Sequence, residues 1–125
     1  MSVRVGGWAF DCADPPTVAA FWAQALGLEE TSRSDAGIFL ETPGGGRWMW
    51  FAKVPEPKVA KNRHHLEMET DELDAEIARL ERLGATTLAV NHEEFWDWNV
   101  MADPGGNEFC LGRTRPGRPG DDVGP

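Results

Sequence analysis

Cysteine is scarce in this chain. Two residues, Cys12 and Cys110, stand among 125, too few for a secreted disulfide scaffold and without metal-knuckle spacing. Positive charge is also scarce, with 12 Lys and Arg against 21 Asp and Glu, for a net charge of −9 and a pI near 4.7. A negative field repels phosphate, and the basic residues before Gly112 form no stripe, so nucleic acid and anionic membranes are not expected partners. No apolar run approaches the ~20 residues that a spanning helix needs. The opening segment, MSVRVGGWAFDCADPP, has polar and turn residues where a signal peptide would be apolar, so the expected location is the cytoplasm. What the chain does have is 41% hydrophobic residues, enough to bury a real core and to exclude disorder as a description of the whole.

Along the chain, Val3 to Cys12 reads as a strand entering a helix, with Asp14 as cap and Pro15 in the first turn. Val18, Phe21, Trp22, Ala25 and Leu26 form one apolar stripe that Gly27 ends. Three β-like stretches follow: Leu28 to Ser32, Gly37 to Thr42 and Arg47 to Val54, the last two joined by a Pro43-Gly44-Gly45-Gly46 turn. A second pass begins at Arg63 to Thr70, where Leu66 and Met68 alternate with His65, Glu67 and Glu69. Asp71 is the expected cap of a second helix, with a stripe of Leu73, Ile77, Leu80 and Leu83 and a stop at Gly84. Three more β-like stretches run over Thr86 to Val90, Phe95 to Met101 and Glu108 to Gly112, with Asp103-Pro104-Gly105-Gly106 as the last turn. Residues 113–125 carry little that can be buried and read as a flexible tail.

The two passes agree in spacing. Asp14 and Gly27 lie 13 positions apart, as do Asp71 and Gly84, and the two expected caps are separated by 57. The turn prolines Pro43 and Pro104 are 61 apart, so a four-residue insertion reconciles the halves. Element order, cap, stop and final turn together point to an internal duplication. The expected fold is α+β: two βαβββ repeats, about 3–54 and 62–112, in a single domain over 1–112, whose paired curved sheets form a cleft lined by side chains turned away from the helices.

This arrangement, with FDCADPPTVAAFWAQALGL, RHHLEMETDELDAEIARLERLGA and DPGGNEFCL, resembles the glyoxalase/bleomycin-resistance/dioxygenase family, the vicinal oxygen chelate superfamily. The resemblance spans roughly residues 3 to 112. It implies a glyoxalase-like fold, a homodimer, and one activity out of a range that includes lyases, dioxygenases and metal-free drug-binding proteins. In the family's enzymes a divalent metal chelates two neighbouring substrate oxygens and stabilises enediolate-like charge. The ligands come from the first and last strands of each half. Carried onto this chain, those positions are Gly7 (with Trp8 beside it), about Met49, His65 and Cys110, leaving one His and soft sulfur atoms where the family uses His or Gln and Glu. A full hard-cation site is therefore not expected, and no cofactor is assigned, although a divalent metal held by His65, Cys110 and Glu67 stays open as an alternative.

Alternation puts His65, Glu67 and Glu69 on the cleft side and Leu66 and Met68 toward the helix. His65 and Glu67 are the candidate catalytic pair, with His65 as a general base; equally, His65 could be a sheet histidine hydrogen-bonded to a neighbouring glutamate. Trp8, Asp11, Met49, Phe51, Glu69 and Cys110 are the candidate ligand-binding residues. Trp48 with Trp50, and Trp96 with Trp98, share a strand face pairwise, so indoles either line the cleft or fill the helix-side core. Cys110 could act as a nucleophile with His65 as its base, and a Cys12–Cys110 disulfide is disfavoured by parity. The function that follows is binding of a small organic molecule in an aromatic-lined cleft. The alternative is a metal-dependent lyase or dioxygenase using His65 and a nonstandard ligand set.

Overall fold

The computed structural model describes residues 2–114, so residues 115–125 of the expected tail lie outside the description. Ten elements follow one another: β1 (Trp8–Cys12), α1 (Pro15–Leu26), β2 (Glu29–Ser34), β3 (Gly37–Glu41), β4 (Trp48–Lys53), β5 (Glu67–Glu69), α2 (Leu73–Leu83), β6 (Thr86–His92), β7 (Trp96–Ala102) and β8 (Glu108–Thr114). They form two compact units. One comprises the chain up to Ala60 plus Pro104–Asn107, and the other Lys61–Asp103 plus the chain from Glu108 onward.

The duplication read from spacing is present in the topology. The first unit has strand order β1-β4-β3-β2 and the second β5-β8-β7-β6. In each, the opening strand pairs parallel with the last and the other pairs are antiparallel. In each unit one edge strand breaks register at one place, between Glu30 and Ser32 in β2 and between Thr87 and Ala89 in β6. Those irregularities are 57 positions apart, the separation of the two helix stops Gly27 and Gly84.

Helix α1 begins after Asp14, with proline in its first turn, and ends at Gly27, whose φ of 67° is left-handed and costs glycine little. Asp14 makes no side-chain cap to the backbone; its carboxylate instead accepts a hydrogen bond from the Thr17 hydroxyl at 2.6 Å. Glu72, not the expected Asp71, stands at the N-cap position of α2 and makes no side-chain cap bond; its amide donates to Thr70 Oγ1 at 3.0 Å in a turn that precedes the helix. Strand β5 keeps only three residues of the expected Arg63 to Thr70, although bonds from Cys110 N to Leu66 O and from Thr70 N to Gly112 O extend the pairing at both ends. Strand β8 runs on through Arg113 and Thr114, beyond the expected end at Gly112.

The core of the first unit is aromatic. Phe10 stacks on Trp22 of α1 (5.8 Å between centroids, 18°) and on Phe51 (5.3 Å, 10°), while Phe21 meets Trp22 edge-on. Val18, Ile38, Leu40 and Met49 complete it. The second unit is packed more sparsely: Leu73 and Leu80 are the buried residues of α2, and Met101, Phe109 and Leu111 lie beneath. No helix among the described residues is long and apolar enough to cross a membrane.

Candidate functional site

Sheet parity decides which side chains could meet a ligand. In the first unit Trp8 pairs with Met49 and Phe10 with Phe51, so these four share one face, and the Phe51–Phe10–Trp22 stack shows that it is the face covered by α1. Met49 and Phe51, expected to line a ligand-binding surface, are instead core residues with 4% and 0% exposure. Trp8 shares their parity, though it stays partly exposed at the start of its strand. The physical reason is volume: a face that must pack a helix takes the residues that fill it, and Met49 and Phe51 fit beside Ile38 and Leu40.

The opposite face of the first sheet carries Trp48, Trp50, Phe39 and Asp11. Phe39 lies between the two indoles, 5.5 Å from Trp48 and 4.5 Å from Trp50. The indoles rest over glycine. A Cβ on Gly7 would stand 2.1 Å from Trp48 Cδ2, and one on Gly37 would stand 2.8 Å from the Trp50 ring. The second unit repeats the device, since a Cβ on Gly112 would come within 2.5 Å of the Trp96 ring. The helix-side alternative for these indoles is thereby set aside: half-buried and turned away from the helix, they form a platform.

In the second unit Glu67 pairs with Cys110 and Glu69 with Gly112, so both glutamates face away from α2, as alternation indicated. His65 Nδ1 lies 3.3 Å from Glu67 Oε1 and 4.0 Å from Cys110 Sγ. The donor atoms of His65, Glu67 and Cys110 all fall within 4.8 Å of one another. His65 and Glu67 are exposed and Cys110 is buried. Glu69, also exposed, stands outside this group of three, and His64 before it is exposed.

Burial pushes the Cys110 thiol up to about 11, and the Glu67 carboxylate adds to this by its charge and by accepting the S–H, against a smaller opposing pull from Lys61. A nucleophilic cysteine needs the reverse environment, so the expected Cys110/His65 attacking pair is not what this arrangement favours. Neither cysteine is in a disulfide. The Cys12 Sγ points to the Ala52 carbonyl at 3.7 Å.

The register also corrects the counterpart of Cys110. Ala9 pairs with Trp50 as Glu67 pairs with Cys110, and Gly7 precedes Ala9 by two as His65 precedes Glu67. The first-half equivalent of Cys110 is therefore Trp50, not Met49. Gly7, the equivalent of His65, lies under Trp48, which occupies the room a ligating side chain would need.

One feature went unread in the sequence. His92 Nδ1 and Asp97 Oδ1 are 2.7 Å apart, and Asp97 with Asn99 occupies helix-facing positions of β7 where apolar residues would be the rule. The signal was there, two polar residues on the parity of Met101, but a strand with Trp on the alternate parity does not declare which face is the core.

Comparison with known proteins accords with this geometry. The family model described as a glyoxalase-like domain matches residues 7–112. A search of the curated proteins finds no match to the sequence. Among solved structures, a glyoxalase/bleomycin resistance protein/dioxygenase family enzyme from Burkholderia phytofirmans PsJN superposes with a TM-score of 0.71 at 20% identity, covering 87% of this chain and 97% of that one. A mutant fosfomycin resistance protein, FosX, from Listeria monocytogenes, complexed with manganese(II) and 1S,2S-dihydroxypropylphosphonic acid, gives 0.73 at 16% identity, with 89% and 90% covered. TnmS3, an antibiotic-binding protein from Streptomyces sp. CB03234, gives 0.65 at 20% identity, with 91% and 98% covered. With a family model spanning most of its length and a duplicated βαβββ topology, the chain belongs to the glyoxalase-like domain family.

Proposed function

We propose that this is a cytoplasmic small-molecule-binding protein of the glyoxalase-like kind, which holds a flat organic ligand and lacks the full set of hard-metal ligands. The observation that carries the reading is the Trp48–Phe39–Trp50 platform, three rings at 4.5 and 5.5 Å spacing on the face away from α1. Each stacked pair contributes ~0.5–1.5 kcal/mol beyond area burial, which suits a planar aromatic guest. TnmS3 supports the reading as a fold relative that binds an antibiotic. Asp11 on the same face supplies a polar group for orientation. Titration with planar aromatic compounds should quench the intrinsic fluorescence, and Trp50→Ala should weaken binding by roughly 2- to 10-fold, the loss of one stacking contact. Unchanged affinity in Trp50→Ala overturns the platform.

A second reading, a lyase or dioxygenase working through a divalent metal, rests on the proximity of His65, Glu67 and Cys110. The donor set does not fit a hard ion such as the manganese in the FosX complex, because such ions take oxygen ligands and Cys110 holds its proton to about 11. It fits a thiophilic ion better: zinc takes imidazole, carboxylate and thiolate, leaving a fourth position for water or substrate. In that reading His65 and Glu67 are the residues nearest the chemistry, and Glu69 flanks them. Elemental analysis of the purified protein separates the two readings. About one metal per chain, abolished in His65→Ala, supports the enzyme, and absence of metal alongside retained quenching supports the binder. In the same proposal the chain works as a homodimer, as the family resemblance implies. Sedimentation should then return twice the 13.8 kDa chain mass.

A further inference from the structure

On the other face of the second sheet, between α2 and strands β6 and β7, lies a half-open groove of about 270 Å³. Its wall from α2 presents Asp74, Ile77 and Glu81, and its floor presents Val90, Asn91 and Asn99, with the His92–Asp97 pair at the side. Among the described residues no lysine or arginine lines it. We propose that this groove binds a small organic cation, a primary amine carried on a short apolar body.

Asn99 is the observation that points to a ligand. The residue is 7% exposed, yet its carboxamide has no hydrogen-bond partner among the described residues. Among the described residues no buried polar side-chain atom is both fully enclosed and unpartnered, so the carboxamide keeps what little exposure it has, and it lines the groove. An amide so nearly enclosed and without a protein partner is poorly hydrated, and a guest offering a donor or acceptor supplies the bond it lacks. The sparse packing of α2 has the same origin: Asp97 and Asn99 stand where apolar side chains would otherwise have drawn the helix onto the sheet.

The sign of the guest follows from the walls. Asp97 is engaged by His92 at 2.7 Å and, more loosely, by Arg113 at 3.7 Å. Glu81 accepts one bond from Thr87 Oγ1 at 3.1 Å, which leaves its charge unneutralised. Asp74 and Glu81 are both exposed on α2. A cation therefore meets two carboxylates at the rim, while Ile77, Leu73 and Val90 cover its hydrocarbon part. At ~30 Å³ per water-sized unit, the groove takes on the order of ten non-hydrogen atoms.

The test is a two-dimensional amide NMR titration of the full chain with phenethylamine, phenylethanol and phenylacetate, three molecules of one shape and different charge. The amine should shift the Asn99 side-chain amide and the backbone signals of Asp74, Glu81 and Asn91, and bind at least tenfold more tightly than the alcohol or the acid. The exposed double variant Asp74→Asn/Glu81→Gln should weaken the amine by at least fivefold while leaving the rest of the spectrum in place. Asn99→Ser should weaken all three compounds. Equal affinity for amine and alcohol, an unaffected double variant, shifts confined to the faces of Trp50 or Glu67, or no binding of the amine overturns the proposal. Shifts at Trp50 report the aromatic platform and shifts at Asn99, Asp74 and Glu81 report the groove, so the two readings are tested apart in the same titration.

Discussion

At the scale of single residues, the chemistry of the open face turns on Cys110. Its thiol is held up to about 11, above the ordinary 9.0, first by burial and then by Glu67. Alkylation by iodoacetamide should be slow at pH 7 to 8 and accelerate as the pH approaches 11. In Glu67→Gln the acceleration should come at lower pH, without returning fully to 9.0, since burial remains. Identical pH profiles for the two proteins would show that Glu67 has no part in it. The same shift has a consequence for stability. The folded protein retains a proton that the unfolded chain gives up at lower pH, so this contribution is fully present below about 9 and is lost as pH rises toward about 11. Strict period-two alternation made the orientation of His65, Glu67 and Glu69 readable from sequence. Met49 and Phe51 were misplaced because Trp48-Met49-Trp50-Phe51 is apolar on both faces, and parity fixes only which residues share a side.

At the scale of elements, glycine positions separate two kinds of constraint. Gly27 has open space around it but a φ of 67°, so Gly27→Ala should cost about 1–2 kcal/mol from backbone strain alone. Gly112 has no unusual φ, but a Cβ there meets both the Trp96 ring and the Asp97 carbonyl at 2.8 Å, so Gly112→Ala should cost about 1–3 kcal/mol from overpacking. Adding Trp96→Ala should recover only part of the second loss, since the Asp97 carbonyl stays in place, and none of the first, as urea denaturation can measure. Removing a core ring is more severe: Phe51→Ala should cost about 3–5 kcal/mol, since Phe51 is wholly buried against Phe10. Helix limits were legible because Gly27 and Gly84 both stop their stripes. The start of α2 was not, because the Thr70 hydroxyl holds the Glu72 amide in a turn ahead of the helix, a local bond that the spacing of the apolar stripe does not report.

At the scale of the molecule, duplication was the most legible feature, since spacing survives even where residue identity has diverged. Each copy has kept its strand order and the irregularity in its edge strand, while their cores have gone separate ways, one aromatic and one with polar residues under the helix. Amide exchange should rank strands alike in both copies, fastest on the outer edges β2 and β6 and slowest in β4 and β8. Different rankings would mean that shared topology does not carry shared local stability. The irregular edges also blunt strand addition by other chains, which a straight apolar edge would invite.

Trp48 over Gly7 closes residue 7 to any side chain that could donate to a metal. A histidine introduced at residue 7 alone collides with an indole before it can reach any ion, so the exchange is harmful until residue 48 has shrunk, and shrinking residue 48 first strips the aromatic shelf while offering nothing in return. With an indole laid across residue 7, the donors within reach of a metal among the described residues are those of the second unit alone, His65, Glu67 and Cys110.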